Sequence, residues 1–186
     1  MRMVTRTFRI NPEYDEVLSE EAEKQGLSVS ALLNQIIQRY VLFTRFTERT
    51  PAITLPYSVF DFLIERVRDE DLVEVGEKTG AVVPEETLLQ RGKIRNFDSV
   101  VWLLENVYDK YNNWFNCSRS VVNGEERIHL AHPLSEQWSR YLGGYVESAF
   151  NSILDMNPKM EVRSNSVTVY LPRQAPLTRV FKSQKI

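Results

Sequence analysis

The chain has 186 residues, 42% hydrophobic and 26% charged, with a formal net charge of −2. This is the balance of a folded protein, not of a disordered segment, and it argues against a chain that coats nucleic acid non-specifically, which would be strongly basic. Cys117 is the single cysteine, so an intrachain disulfide and a multi-cysteine zinc cluster are both excluded.

The first element is short. In "MVTRTFRI" Phe8 and Ile10 fall on one face, and Thr5, Thr7 and Arg9 on the other. That alternation predicts a half-buried strand over residues 4–10. It has no partner strand nearby in the sequence. An unpaired strand leaves a row of backbone donors and acceptors unsatisfied, so its expected partner is its own copy in a second chain. Asn11 followed by Pro12 then reads as an N-cap with proline at the first helical position, and Glu13, Asp15 and Glu16 suit the positive end of the helix. This helix is expected to stop at Gly26. Ser28 caps a second helix with Leu32, Leu33, Ile36, Ile37, Tyr40 and Val41 at three- and four-residue spacing.

"TERTPAITLP", residues 47–56, reads as a boundary between Pro51 and Pro56. Helical periodicity resumes at "SVFDFLIERV", and Gly80 and Gly92 are expected at helix ends or loops. "FDSVVWLLENVYDKYNNWF", residues 97–115, predicts a helix. The period then changes. "CSRSVVNGEERIHLAH" places Asn123-Gly124 between two strands, the signal of a tight hairpin. A long helix is expected over 133–156, followed by a hairpin in 160–171 turning at Ser164 and Asn165. The fold class expected is α+β, with a first domain at 1–48, a linker at 49–56, and a second domain at 57–172 whose helices precede β-β-α-β-β. Residues 173–186, with four basic residues and no acid, are expected as a flexible tail.

Strand, helix, tight turn and helix over residues 3–48, carried by "TRTFRI" and "NPEYDEVLSEEAEKQGLSVSALLNQII", resemble the ribbon-helix-helix family of DNA-binding proteins. The resemblance implies a homodimer whose paired N-terminal strands enter the major groove of double-stranded DNA. Thr5, Thr7 and Arg9 would then reach base edges, arginine pairing bidentately with guanine and threonine exchanging hydrogen bonds or touching a thymine methyl. Arg2 and Arg6 would contact phosphates. So would the N-terminus of the second helix at Ser28, Val29 and Ser30, where free N–H groups and the helix dipole favour an anion. All three charges before residue 10 are positive, whereas the first helix is acidic.

The second domain holds many aromatics but no catalytic constellation. Trp138, Leu142, Tyr145 and Ala149 share a helical face, which fits either plain core or the wall of an apolar pocket. Its lining would include Trp102, His132, Trp138, Arg140 and Tyr145, with Ser139 as a further polar handle for a small-molecule effector. His129 and His132 lack further ligands at metal spacing, so no metal and no cofactor is expected. "HPLSEQWSRYLGGYVESAF" is faintly similar to vinyl-reductase-like and haem-nitric-oxide-binding-like sensor domains. The function expected is a transcriptional regulator with a sensing or oligomerising domain, and not an enzyme. The alternative is an antitoxin-like or scaffold protein gripping a partner protein. No apolar run suits a signal sequence or a span of about 20 residues, so a cytoplasmic protein without membrane contact is expected.

Overall fold

The computed structural model describes residues 4–48, 53–122 and 124–172. The chain divides into two units, Met1–Ala52 and Ile53–Ile186.

In the first unit α1 spans Pro12–Lys24 and α2 spans Val29–Arg39. Both start where the sequence supplies a cap. Asn11 Oδ1 accepts from the Glu13 N–H at 3.1 Å, and Ser28 Oγ accepts from the Ala31 N–H at 3.2 Å. Gly26 takes a φ of 65°, and the Leu27 N–H returns to the Ala22 carbonyl at 2.8 Å, closing α1 with a left-handed glycine. A π-helical turn at Tyr40–Thr44 carries α2 into a last helical turn, α3, at Arg45–Thr47. Residues 4–10, expected as a strand, form no ladder within the single chain. A strand is defined by its partner, and one chain offers none here.

The second unit is α+β. Helices α4 (Tyr57–Ile64), α5 (Asp69–Gly80), α6 (Val83–Gln90) and α7 (Phe97–Leu103) come first. Strands β1 (Asn116–Val122) and β2 (Glu125–Ala131), helix α8 (Glu136–Leu154), and strands β3 (Lys159–Arg163) and β4 (Ser166–Pro172) follow. The sheet is antiparallel in the order β1-β2-β4-β3. Both hairpins lie where the sequence places them: Gly124 has a φ of 80°, and Arg163 pairs with Ser166 across Ser164 and Asn165. Asn123 lies outside the described residues.

The alternation of the central strands sorts the sheet into two faces. Ile128, Leu130, Val167, Val169 and Leu171 are buried, whereas Arg127, His129, Thr168 and Tyr170 between them are partly exposed. Helix α8 lies against β3 and β4 and packs against α5. It buries Leu142, Tyr145, Val146, Phe150 and Ile153, each worth about 1.5–3 kcal/mol for its side chain.

The α5–α8 contact gives two glycines a packing role. Gly80 lies at a helix end, as expected, being the last residue of α5, and Gly76 lies inside that helix. Both are fully packed against the α8 backbone: a Cβ on Gly80 would lie 2.7 Å from Tyr145 Cα, and one on Gly76 3.1 Å from Tyr145 N. Glycines one helical turn apart sit on one face, and here they let two backbones touch. Gly144 answers from α8, where a Cβ would lie 2.8 Å from the Val73 carbonyl oxygen.

The helix expected to reach residue 115 is shorter. α7 continues as a π-helical segment over Leu104–Asp109 and then unwinds. Asn113 adopts a left-handed φ of 53°, and the Trp114 N–H turns back to the Tyr108 carbonyl at 2.9 Å. This re-aims Trp114 into the core.

Candidate functional site

In the first unit Thr5, Arg6, Thr7 and Arg9 are all exposed. Arg2 lies outside the described residues. At the start of α2, Ser28 and Ser30 are exposed and Val29 is half-buried. The Ser28 hydroxyl serves as the cap, and the Ser30 carbonyl accepts from Asn34 Nδ2 at 3.0 Å. The N–H groups of Val29 and Ser30 stand at the first two helical positions, where no intrahelical acceptor exists.

The apolar residues of this unit are its most telling feature. Among its described residues Ala22 and Leu32 are fully buried. Val4, Phe8, Tyr14, Val17, Ile36, Ile37, Tyr40 and Val41 are all exposed. The face at Ile36, Ile37, Tyr40 and Val41 recurs at helical spacing, so it is a continuous stripe and not scattered side chains.

In the second unit the aromatic side chains assemble around Trp114. Its ring stacks on Tyr108 at 4.7 Å and meets Trp138 edge-on at 5.4 Å. Trp138 stacks on Tyr141 at 4.9 Å and receives the edge of Phe60 at 5.2 Å. The indole N–H of Trp138 donates to the Trp114 carbonyl at 3.1 Å, and the Tyr108 and Tyr145 hydroxyls share a hydrogen bond of 2.6 Å. Burial raises the pKa of both phenols, so they remain neutral.

Beside this centre two polar pairs tie loops to helices. His132 Nε2 meets Ser139 Oγ at 2.7 Å, with both residues buried. Asp61 of α4 accepts from the Ser135 N–H at 2.8 Å and from its hydroxyl at 2.6 Å, fixing the N-cap of α8. Burial depresses the His132 pKa, opposed more weakly by the Leu134 backbone and the Asp61 carboxylate. A buried Ser–His pair resembles part of a hydrolytic site, but Ser139 is 0% exposed and no substrate can reach it. Its role is to join the end of β2 to α8.

The five residues expected around a ligand pocket are dispersed. Trp138 and Tyr145 belong to the aromatic centre, and His132 to the pair with Ser139. Trp102 is half-buried on α7, beneath the Lys93 ammonium at 4.3 Å. Arg140 lies on the surface of α8, paired with Asp69 at 3.1 Å and Glu136 at 2.6 Å. One open cleft of about 430 Å³ lies between the tip of the first hairpin and the α8–β3 connection, lined by Met156, Pro158, Lys159, Tyr170, Leu171 and Glu125 among others. None of the five lines it. A second, of about 470 Å³, runs along the acidic side of α5 and includes Arg140. Sequence periodicity singled out neither cleft: the first joins residues far apart in the chain, and the second is the polar side of α5 with Arg140 added from α8.

Among the described residues no three His, Cys, Asp or Glu side chains are placed to hold a metal ion, and no helix is long and apolar enough to cross a membrane.

The fold thus defines an α+β protein of two units, the second built on a four-stranded antiparallel sheet. Comparison with family models, with curated proteins and with solved structures returns no match for the chain.

Proposed function

We propose that the chain is a homodimeric, sequence-specific DNA-binding regulator of the ribbon-helix-helix kind, with its second unit as an oligomerising or sensing domain. The observation that carries this reading is the exposed apolar stripe on a first unit that fully buries Ala22 and Leu32 alone among its described residues. Burying one leucine contributes about 1.5–3 kcal/mol, while ordering each residue of backbone costs about 1–2 kcal/mol. A unit of this size cannot stand on so small a core. A second copy would supply the rest, by covering Phe8, Ile36, Ile37 and Tyr40 and by pairing residues 4–10 with their own image. The strand face left outward by that pairing carries Thr5, Thr7 and Arg9, side chains suited to base edges in the major groove. The rings packed around Trp114 favour an oligomerising role for the second unit over a ligand held beside Trp138.

Sedimentation equilibrium of the full chain at micromolar concentration, joined to selection of bound duplexes from a random library, tests the reading. The expected result is a dimer that enriches a two-fold symmetric site. A stable monomer overturns the proposal. A dimer that enriches no duplex at low salt moves the protein to the partner-binding class.

A further inference from the structure

His132 is a buried titratable side chain whose hydrogen bonding is incomplete. It is 4% exposed and follows the end of β2, where its backbone N–H donates to the Asn165 carbonyl at 3.0 Å. Its Nε2 is engaged by Ser139 Oγ on α8, and its Nδ1 is buried with no hydrogen-bond partner among the described residues. A neutral imidazole carries one N–H and one bare nitrogen, whereas the cation carries two N–H donors. Protonation therefore leaves a buried donor at Nδ1 with nothing in bonding position to accept from it. Such a group costs its full desolvation unless the chain supplies an acceptor.

We propose that His132 is a proton-driven switch on the attachment of α4 to α8, its cation drawing the Asp61 carboxylate away from Ser135. Asp61 is the carboxylate whose charge acts on the His132 ring. Other charges on the surrounding elements are engaged: Glu136 and Arg140 of α8 pair with each other, and Arg163, beside the β3–β4 turn, pairs with Glu161. Asp61 Oδ1 takes both the N–H and the hydroxyl of Ser135, the N-cap residue of α8. From there it does not bond Nδ1, so meeting the imidazolium requires it to move. The consequence reaches further along both helices. The Ser135 carbonyl accepts from the Trp138 N–H at 3.1 Å, and Phe60, next to Asp61 on α4, sets its ring edge on Trp138. A displaced Asp61 is thus felt in the first turn of α8 and at the Trp138 ring. Burial holds the His132 pKa below its ordinary value of about 6.5, so the Asp61–Ser135 contact is intact at neutral pH and the switch turns on the acid side. The device lies within the second unit and is independent of what the first unit binds.

The test follows the full chain by NMR as the pH is lowered from 7.5. The chain has two histidines, so the ring nitrogen signals of His132 are read beside those of His129. The Ser135 amide and the Trp138 indole signals should shift with the same midpoint as the His132 ring, while far-UV circular dichroism stays unchanged. Asp61→Asn keeps an acceptor for Ser135 but removes the charge. In that variant His132 should titrate at lower pH, and Ser135 and Trp138 should no longer follow it. His132→Asn should abolish the transition at both reporters. A wild-type His132 that titrates without moving Ser135 and Trp138 overturns the proposal, as does an Asp61→Asn variant whose reporters still follow His132. A transition that coincides with loss of helical dichroism is acid unfolding, and overturns it too.

Discussion

Replacing Gly80 with alanine separates tertiary packing from helix propensity, because the two predict opposite signs. Alanine is favoured over glycine by up to about 1 kcal/mol in a helix, so propensity alone makes Gly80→Ala stabilising. In the structure the added Cβ would lie 2.7 Å from Tyr145 Cα and 2.8 Å from its carbonyl carbon. Ordinary contact between such atoms is about 3.5–4.0 Å, so the helices must part by roughly 1 Å, a gap that forfeits about a quarter to a half of the dispersion energy across the contact. The obstacle is backbone, which cannot swing aside as a side chain can. Overpacking of this kind costs about 1–3 kcal/mol, and the upper end applies. The expected net loss is about 2 kcal/mol. Adding Gly76→Ala should cost less than a second full increment, since one displacement of α5 relieves both clashes. Urea unfolding followed by tryptophan fluorescence should show the midpoint falling by about 1 M with an unchanged slope. A variant that unfolds at the same or a higher urea concentration would refute the packing argument.

Three further outcomes are expected. The Cys117 thiol has its pKa pushed up to about 12 by burial, with Glu105 and Asp109 adding and Arg119 opposing, so at pH 8 an alkylating reagent should modify the native chain at least a hundred-fold more slowly than the unfolded chain. His132 has a folded pKa below its unfolded value of about 6.5. Its contribution to stability is therefore complete above that value and lost as pH falls through it, and His132→Asn should flatten the loss of urea midpoint between pH 7.5 and 5.5. In the proposed complex with DNA, Arg9→Ala should relax base preference at one position per half-site at a cost of about 1–3 kcal/mol. An equal loss on every sequence would move Arg9 to a phosphate contact.

Local signals in the sequence were reliable where the structure is local. The caps at Asn11 and Ser28, the stop at Gly26, and the hairpins at Gly124 and at Ser164 and Asn165 depend on neighbouring residues, and each lies where composition places it. The α5–α8 contact was not legible: Gly80 does lie at a helix end, as its residue type suggests, but that says nothing of what it packs against. Here Gly76 and Gly80 recur at one-turn spacing for a neighbour that enters the chain only at Glu136. The hydrogen bonds from Ser135 to Asp61 and between Tyr145 and Tyr108 link positions that no periodicity connects. The early end of the helix after Phe97 depends on the left-handed Asn113, a backbone state that asparagine tolerates without announcing it. Residues 4–10 form no ladder within the single chain, and the strand expected there awaits the second copy proposed as its partner.

The placement of α8 between two hairpins also sets an order for folding. Each hairpin closes over two residues and needs contacts between near neighbours, which form in about 1–10 μs. Joining β2 to β4 is different: it must bring Ala131 opposite Ser166 and so closes a loop holding the whole of α8. That closure carries the entropic cost of a long-range contact before its reward arrives. The helix lowers the cost if it forms first, because a rigid rod replaces a wandering coil. In a chevron analysis, substitutions at Val167 and Val169, on the central strand that joins the hairpins, should slow folding. Substitutions in the α5 face that docks afterwards should chiefly speed unfolding.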